Sequence, residues 1–174
     1  HRQHGDDMFT LMPTNLYGPG DDFDLETAHV LPALLRKAHE AKGAAPEGDD
    51  APVTLWGTGT PKREFLYVED LADAVRFVLE QPEEALRDVA PEGMLNVGVG
   101  EDLSINDLMA LIQEVVGHDG PVEHDHSKPD GTPRKLVDTS RLDALGWTAD
   151  TSLREGIEQT YVWYREQEAV NVAR

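Results

Sequence analysis

The strongest constraint on the fold is an alternation of two hydrophobic periods along one short chain. Helix-period stripes fall at Leu31, Leu34, Leu35 and Ala38, at Leu71, Ala74, Val75, Val78 and Leu79, and at Leu108, Leu111, Ile112, Val115 and Val116. Spacings of three and four residues put each set on one side of an α-helix. Between the stripes lie short apolar runs, Met8–Met12, Val53–Trp56, Glu64–Val68, Met94–Val99 and Val122–His126, each bounded by turn residues and each suited to a strand. Strands that alternate with helices predict an α/β architecture with parallel pairing.

The pattern predicts helices over about 27–42, with Pro32 in the first turn, and over 70–81, ended by Gln81-Pro82. A third opens at the N-cap Ser104 and stops at Gly117. A strand over 136–138 and a small helix up to Gly146 follow. The last helix starts at Ser152, where Glu155 completes a capping box and Leu153, Ile157, Tyr161 and Tyr164 turn inward. The segments 13–20, 43–52 and 127–135 read as loops, and 82–93 as an acidic linker. The first loop directly follows what reads as a buried strand, a place where open α/β sheets bind ligands.

Composition narrows the function. The 174 residues include 34 Asp and Glu against 15 Lys and Arg, a formal charge of −19, and no cysteine. The size suits one ordinary domain or part of a larger one. Disulfide scaffolds and thiol enzymes are excluded on the chain's own residues. So few cations argue against neutralising a phosphate backbone, so no nucleic-acid partner is expected. No run approaches the roughly 18 apolar residues of a membrane span and no signal segment opens the chain, which predicts a soluble, cytoplasmic protein with no membrane partner. The acidic, Lys-poor surface would suit concentrated salt, where self-repulsion is screened. The chain opens at His1 without Met, as a cut end would. His124-Asp125-His126 sets two imidazoles on one strand face with no third ligand, so no metal is expected.

No G-x-G-x-x-G follows any strand: Gly98-Val99-Gly100 runs into Glu-Asp-Leu, and Gly57-Thr58-Gly59 into Thr-Pro-Lys. No Y-x-x-x-K occurs either. Three segments nevertheless carry chemistry. Pro13-Thr14-Asn15-Leu16-Tyr17-Gly18-Pro19-Gly20 follows a strand; Trp56 and Arg63 bracket a small-residue loop, as base stacking and phosphate pairing require; and Ser127–Lys135 holds Lys128, Arg134 and Lys135, a local reversal of charge. On the residues alone, His29 reads as a packed or capping histidine, Trp56 equally as a core aromatic, and Arg63 with Glu64 as a surface pair.

The runs MPTNLYGPGDDFD, HVLPALLR, WGTGTPKREFLYVEDLADA, NVGVGEDLSI and SKPDGTPRKL together resemble the GDP-L-fucose synthase family of extended short-chain dehydrogenase/reductases, over nearly the whole chain. The resemblance implies an α/β C-terminal substrate-binding part, with the N-terminal Rossmann dinucleotide-binding core largely missing. Residues 1–26 would end the Rossmann part with its nicotinamide-side loop, and 27–174 would bind the GDP-sugar while returning elements to the Rossmann sheet. That family epimerises C3 and C5 of GDP-4-keto-6-deoxymannose and reduces its C4 ketone with NADPH. By resemblance, Pro13, Thr14, Asn15, Leu16 and His29 contact NADP, which the missing part mainly binds, and His29 is the catalytic acid. Asn15, Lys37, Trp56, Arg63, Asp130 and Lys135 fall at the GDP-sugar. Lys37 stands where some members carry arginine, keeping the charge but not the planar fork. The full-length enzyme is compatible with a homodimer, and the chain alone is expected to be inactive. The alternatives are another nucleotide-sugar epimerase or dehydratase, or a non-catalytic nucleotide-sugar-binding module.

Overall fold

Each short apolar run pairs with a run distant in sequence, as parallel strands must, because a parallel return needs a crossover between them. The computed structural model describes residues 8–172, so the polar opening run His1–Asp7 lies outside the described residues. In chain order the first elements are β1 (Thr10–Pro13), β2 (Asn15–Tyr17), α1 (Val30–Ala41), β3 (Val53–Trp56), β4 (Lys62–Arg63), β5 (Phe65–Tyr67), α2 (Val68–Glu80) and α3 (Glu83–Val89). They are followed by β6 (Met94–Val97), β7 (Leu103–Ser104), α4 (Ile105–Val116), β8 (Val122–Asp125), β9 (Arg134–Lys135), α5 (Ser140–Leu145) and α6 (Leu153–Val172). β1 pairs with β6, β2 with β5 and β3 with β8, all parallel. β4 is the centre of a small three-stranded sheet, antiparallel to β7 and parallel to β9.

The period of two along β5 divides the interior. Phe65 and Tyr67 enter a core with Tyr17, Leu31, Leu35, Leu55, Leu108, Ile112 and Ile157. Leu66, between them, enters a second core with Ala74, Val78, Leu86, Leu95, Val97, Leu142 and Trp147. Alternate residues of a strand face opposite sides, so one strand of three buried residues serves as the wall between two cores. Helix ends follow their local chemistry. Ser104 Oγ accepts the Asp107 amide at 3.1 Å, Gly117 closes α4 at φ 71°, and Ser152 and Glu155 exchange hydrogen bonds reciprocally at 3.1 and 3.3 Å.

Immediately before β5 lies Glu64, which is fully buried. Its Oε1 accepts the Val99 and Gly100 amides at 2.7 Å each, and Oε2 accepts the Val137 amide at 3.0 Å. Its own carbonyl accepts the Asn15 side-chain amide at 2.6 Å. A Cβ at Gly98 would meet Oε1 at 2.3 Å, so only glycine lets the backbone come this close. One residue thereby ties β2, β5, the 98–100 turn and the segment at Val137 together. This corrects the expectation that Arg63 and Glu64 form a surface pair.

Other differences have equally local reasons. β1 is mostly exposed, not buried, because among the described residues only β6 lies beside it. Residues 15–17, expected within a loop, form β2 because β5 supplies a partner. The α2 stripe divides: Ala74 and Val78 are buried, while Val75 and Leu79 are 39% and 80% exposed. The buried side is completed instead by Asp70, which accepts the Thr151 amide and hydroxyl at 3.2 and 3.0 Å. The acidic linker contains α3, anchored by buried Leu86 and a Glu83–Arg87 ion pair one turn apart. No strand forms at 136–138, since the Val137 amide serves Glu64; pairing occurs just before it, at β9.

Glu64→Gln, which turns an amide toward backbone donors, is expected to lower unfolding free energy by roughly 1–3 kcal/mol, the cost of leaving buried donors unpaired. Urea unfolding measures it, and Gly98→Ala should have an effect of the same sign.

Candidate functional site

Two clefts meet at the start of α1. The first, about 440 Å³, is lined by Thr14, by Asn15, Leu16 and Tyr17 of β2, the turn from Gly18 to Asp21, His29 and Val68. The second, about 360 Å³, is lined by His29, Lys37, Trp56, Arg63 and Asp130 among others. His29 borders both. It precedes α1 in extended conformation, φ −66° and ψ 164°, and its side chain makes no capping bond. The imidazole is exposed, so neither the packed nor the capping role applies to it.

Lys37 lies eight residues along α1 on the same face, about two turns on. Its ammonium donates to the Thr54 carbonyl at 3.0 Å and sits 5.2 Å from the centre of the Trp56 ring. Partial burial lowers its pKa from the ordinary lysine value. Trp56 ends β3 and is 57% exposed, which sets aside the core-aromatic reading. Lys128 approaches the same ring, also at 5.2 Å. Arg63 is held by its Nη1, which donates to the Lys62 and Thr132 carbonyls at 2.6 Å each. Among the described residues Nε and Nη2 have no hydrogen-bond partner, which leaves them for an acceptor in the cleft.

Asp130 accepts the Thr58 amide at 2.9 Å and its hydroxyl at 2.8 Å. These bonds hold the carboxyl below the usual carboxylate range. A Cβ at Gly57, where φ is 71°, would strike Asp130 Oδ1 at 2.3 Å. Asp130 therefore clamps the glycine-rich loop between Trp56 and Arg63, and that is its visible role. Asn15 borders the first cleft with its amide nitrogen committed to Glu64. Pro13, at the end of β1, and Lys135, in β9, border neither cleft.

Lys135 is nonetheless in register with Arg63, and Arg134 with Lys62. Like charges directly opposite one another cost stability, and one ion pair, Arg134 with Asp102, relieves this pairing. Arg63 and Lys135 thus lie side by side in the small sheet, and Lys37 and Lys128 both approach Trp56, local cations in a chain with net charge −19. The sequence showed the cluster at 127–135 but not its junction with Lys62-Arg63, because strand pairing across some 70 residues leaves no local signal. Glu64 was likewise missed, although a carboxylate abutting the all-apolar run Phe65-Leu66-Tyr67 is a signal of a buried, satisfied charge. Asp21, in the wall of the first cleft, was missed with no signal to find it.

The imidazoles of His124 and His126 stack at 5.9 Å, and His124 Nε2 lies 3.0 Å from Asn106 Oδ1. Among the described residues no group of three or more His, Cys, Asp or Glu is arranged to hold a metal ion.

The sequence profile of the NAD dependent epimerase/dehydratase family matches residues 1–98. The chain is similar to GDP-L-fucose synthase 1 of Arabidopsis thaliana, 52% identical over 93% of this chain and 47% of that protein. It is similar to GDP-L-fucose synthase of Escherichia coli strain K12, 48% identical over 97% of this chain and 52% of that protein. Among solved structures, a GDP-6-OMe-4-keto-L-xylo-heptose reductase from C. jejuni superposes with a TM-score of 0.83, at 31% identity, over 95% of this chain and 56% of that one. The chain thus spans about half the length of the curated relatives it matches.

Asp130→Ala removes both bonds to Thr58, so amide exchange at Thr58 is expected to accelerate by roughly tenfold or more, the equivalent of a net hydrogen bond. Hydrogen–deuterium exchange followed by NMR reads this directly, with the amides of α4 as unchanged references.

Proposed function

The chain belongs to the NAD dependent epimerase/dehydratase family, and from that premise we propose that it supplies the substrate-binding part of an NADP-dependent GDP-L-fucose synthase. The observation that carries the reading is the meeting of two unlike clefts at the His29 imidazole, which makes no hydrogen bond among the described residues. One is lined by cations and an exposed indole, as a nucleoside diphosphate requires. The other combines the apolar Leu16 and Val68 with the polar Thr14 and Asn15, a lining that fits a flat ring bearing a carboxamide, the nicotinamide end of NADP. About half-identity to named GDP-L-fucose synthases supports the choice among sugar nucleotides. In this reading residues 1–26 carry the cofactor side and 27–174 the sugar-nucleotide side.

When bound, NADPH would supply the hydride that reduces the C4 ketone of GDP-4-keto-6-deoxymannose. The chain's own residues do the rest of the work assigned to this part. Thr14, Asn15 and Leu16 would hold the nicotinamide edge, with Pro13 at the strand end beside them. Arg63 pairs phosphate oxygens through its free hydrogens, Lys37 adds charge, and Trp56 offers a stacking face. Asp130 keeps the Trp56–Arg63 loop in shape, and Lys135 adds positive potential behind Arg63. His29 protonates the carbon beside the ketone, from the face opposite to that of proton removal, so that configuration inverts at C3 and C5. Among the described residues no helix is long and apolar enough to cross a membrane. A cytoplasmic location and a homodimeric complete enzyme belong to the same reading.

The complete polypeptide, given NADPH and GDP-4-keto-6-deoxymannose in deuterated water, is expected to form GDP-L-fucose carrying solvent deuterium at C3 and C5. The 174-residue chain by itself, without Y-x-x-x-K or a dinucleotide loop, should form none. A complete polypeptide that processes a UDP-sugar instead would replace this reading with the general epimerase alternative. Separately, Arg63→Ala should weaken GDP binding in calorimetry by roughly ten- to a hundredfold, the scale of a charge-assisted hydrogen bond, and Arg63→Lys should recover only part. Equal affinity of wild type and Arg63→Ala would remove the arginine from the site.

A further inference from the structure

Asp21 carries a polar atom for which the fold has no evident use. Its Oδ1 accepts the Asp22 amide at 2.8 Å, but its Oδ2 is buried and has no hydrogen-bond partner. The neighbouring carboxylates are otherwise engaged. Asp22 accepts the Thr27 hydroxyl at 2.6 Å and the Asp24 amide at 2.9 Å, and Asp24 accepts the Glu26 amide at 2.8 Å. A buried acceptor without a donor costs more than an ordinary hydrogen bond contributes, so such an atom calls for an explanation. Asp21 forms the wall of the first cleft together with His29, whose own ring makes no hydrogen bond among the described residues. Burial raises the Asp21 carboxyl above its ordinary range, and a positive charge on His29 would pull it the other way.

We propose that Asp21 is a positioning residue for His29: with substrate in the clefts, its unpartnered oxygen receives an imidazole N–H and so orients the ring and stabilises the imidazolium that protonates the sugar. The proposal rests on the reading of His29 as the catalytic acid. In the step it serves, one imidazolium N–H bond breaks while the electron pair of the enolate carbon forms the new C–H bond. The imidazole is left neutral, with its other N–H held by Asp21, and solvent restores the lost proton. Asp21 itself neither gives nor takes a proton. The remaining charged or titratable groups around these clefts are placed for other roles. Asp22 spends its oxygens on its own loop, Tyr17 is kept neutral by burial, and Glu26, Lys37, Arg63 and Asp130 border the second cleft.

The test has two arms. In the full 174-residue chain, carbon-detected NMR follows the Asp21 carboxyl, which should titrate above the ordinary aspartate range and move higher still in His29→Gln, where the neighbouring cation is gone. In the complete enzyme, Asp21→Asn should slow deuterium incorporation at C3 and C5 by roughly ten- to a hundredfold, the range in which proton-transfer groups contribute, with KM within about twofold and partial rescue by Asp21→Glu. Misfolding is separable by urea unfolding. A raised carboxyl pKa in the fold is a cost that appears as pH rises past the unfolded value and is complete above the folded one, so at neutral pH Asp21→Asn should be no less stable than wild type. An Asp21 titration unmoved by His29→Gln, or full exchange activity in Asp21→Asn, would overturn the proposal. If the unaltered enzyme exchanges no sugar proton, the fucose-synthase reading fails instead, and the carboxyl titration still decides the pairing.

Discussion

A single buried carboxylate, that of Glu64, holds three backbone amides from two separate segments while its carbonyl holds the side chain of Asn15. Short strands cannot fix their own register strongly, and here β2 and β5 contribute only three residues each. A charge that must find donors once it is out of water supplies what those ladders lack, since each amide it engages fixes a position that slippage would break. The consequence reaches both clefts. Asn15 is set at the edge of the first, and Arg63, the residue before Glu64, is set at the edge of the second. The close approach at Gly98 shows that the surrounding backbone is shaped around this carboxylate.

The second cleft follows from a different balance. Bringing Lys62, Arg63, Arg134 and Lys135 into one small sheet opposes the tendency of like charges to separate. The chain's large negative charge softens that cost through its overall field, and it also means that an incoming diphosphate is repelled at long range. In the proposed function, recognition then comes from contacts at short range, where a planar guanidinium with unspent hydrogens and an indole face are most effective. Trp56 is exposed and Arg63 is anchored by carbonyls rather than carboxylates, so neither group is consumed by the fold.

Much of the architecture was legible because it is local. The stripes of α1 and α4, the cap at Ser104, the stop at Gly117 and the capping box at Ser152 depend on residues within a turn or two of one another, and they form where the periodicity puts them. Tertiary context governed the rest. Val75 and Leu79 fit the α2 stripe by spacing, but the buried side runs through Asp70, Ala74 and Val78, with Asp70 held by Thr151, and leaves those two exposed. The strand expected at 136–138 was displaced because Glu64, more than 70 residues away, claims the Val137 amide. At the site, His29, Lys37, Trp56, Arg63 and Asp130 were named from motif resemblance and converge in space. Asp130's bond to the glycine loop, the register of Arg63 with Lys135, and Asp21's idle oxygen exist only once distant segments meet.

In the proposed function the second cleft is a nucleoside-diphosphate site whose recognition groups are left free by the fold. Titrating the isotope-labelled chain with GDP, and in parallel with GMP, while recording backbone amide, indole and guanidinium NMR signals tests it most directly. Saturable shifts are expected at the Trp56 indole, the Arg63 guanidinium and the Thr58 amide, with GMP binding more weakly and the β1–β6 edge unmoved. Shifts confined to other surfaces, or GMP binding as tightly as GDP, would contradict it.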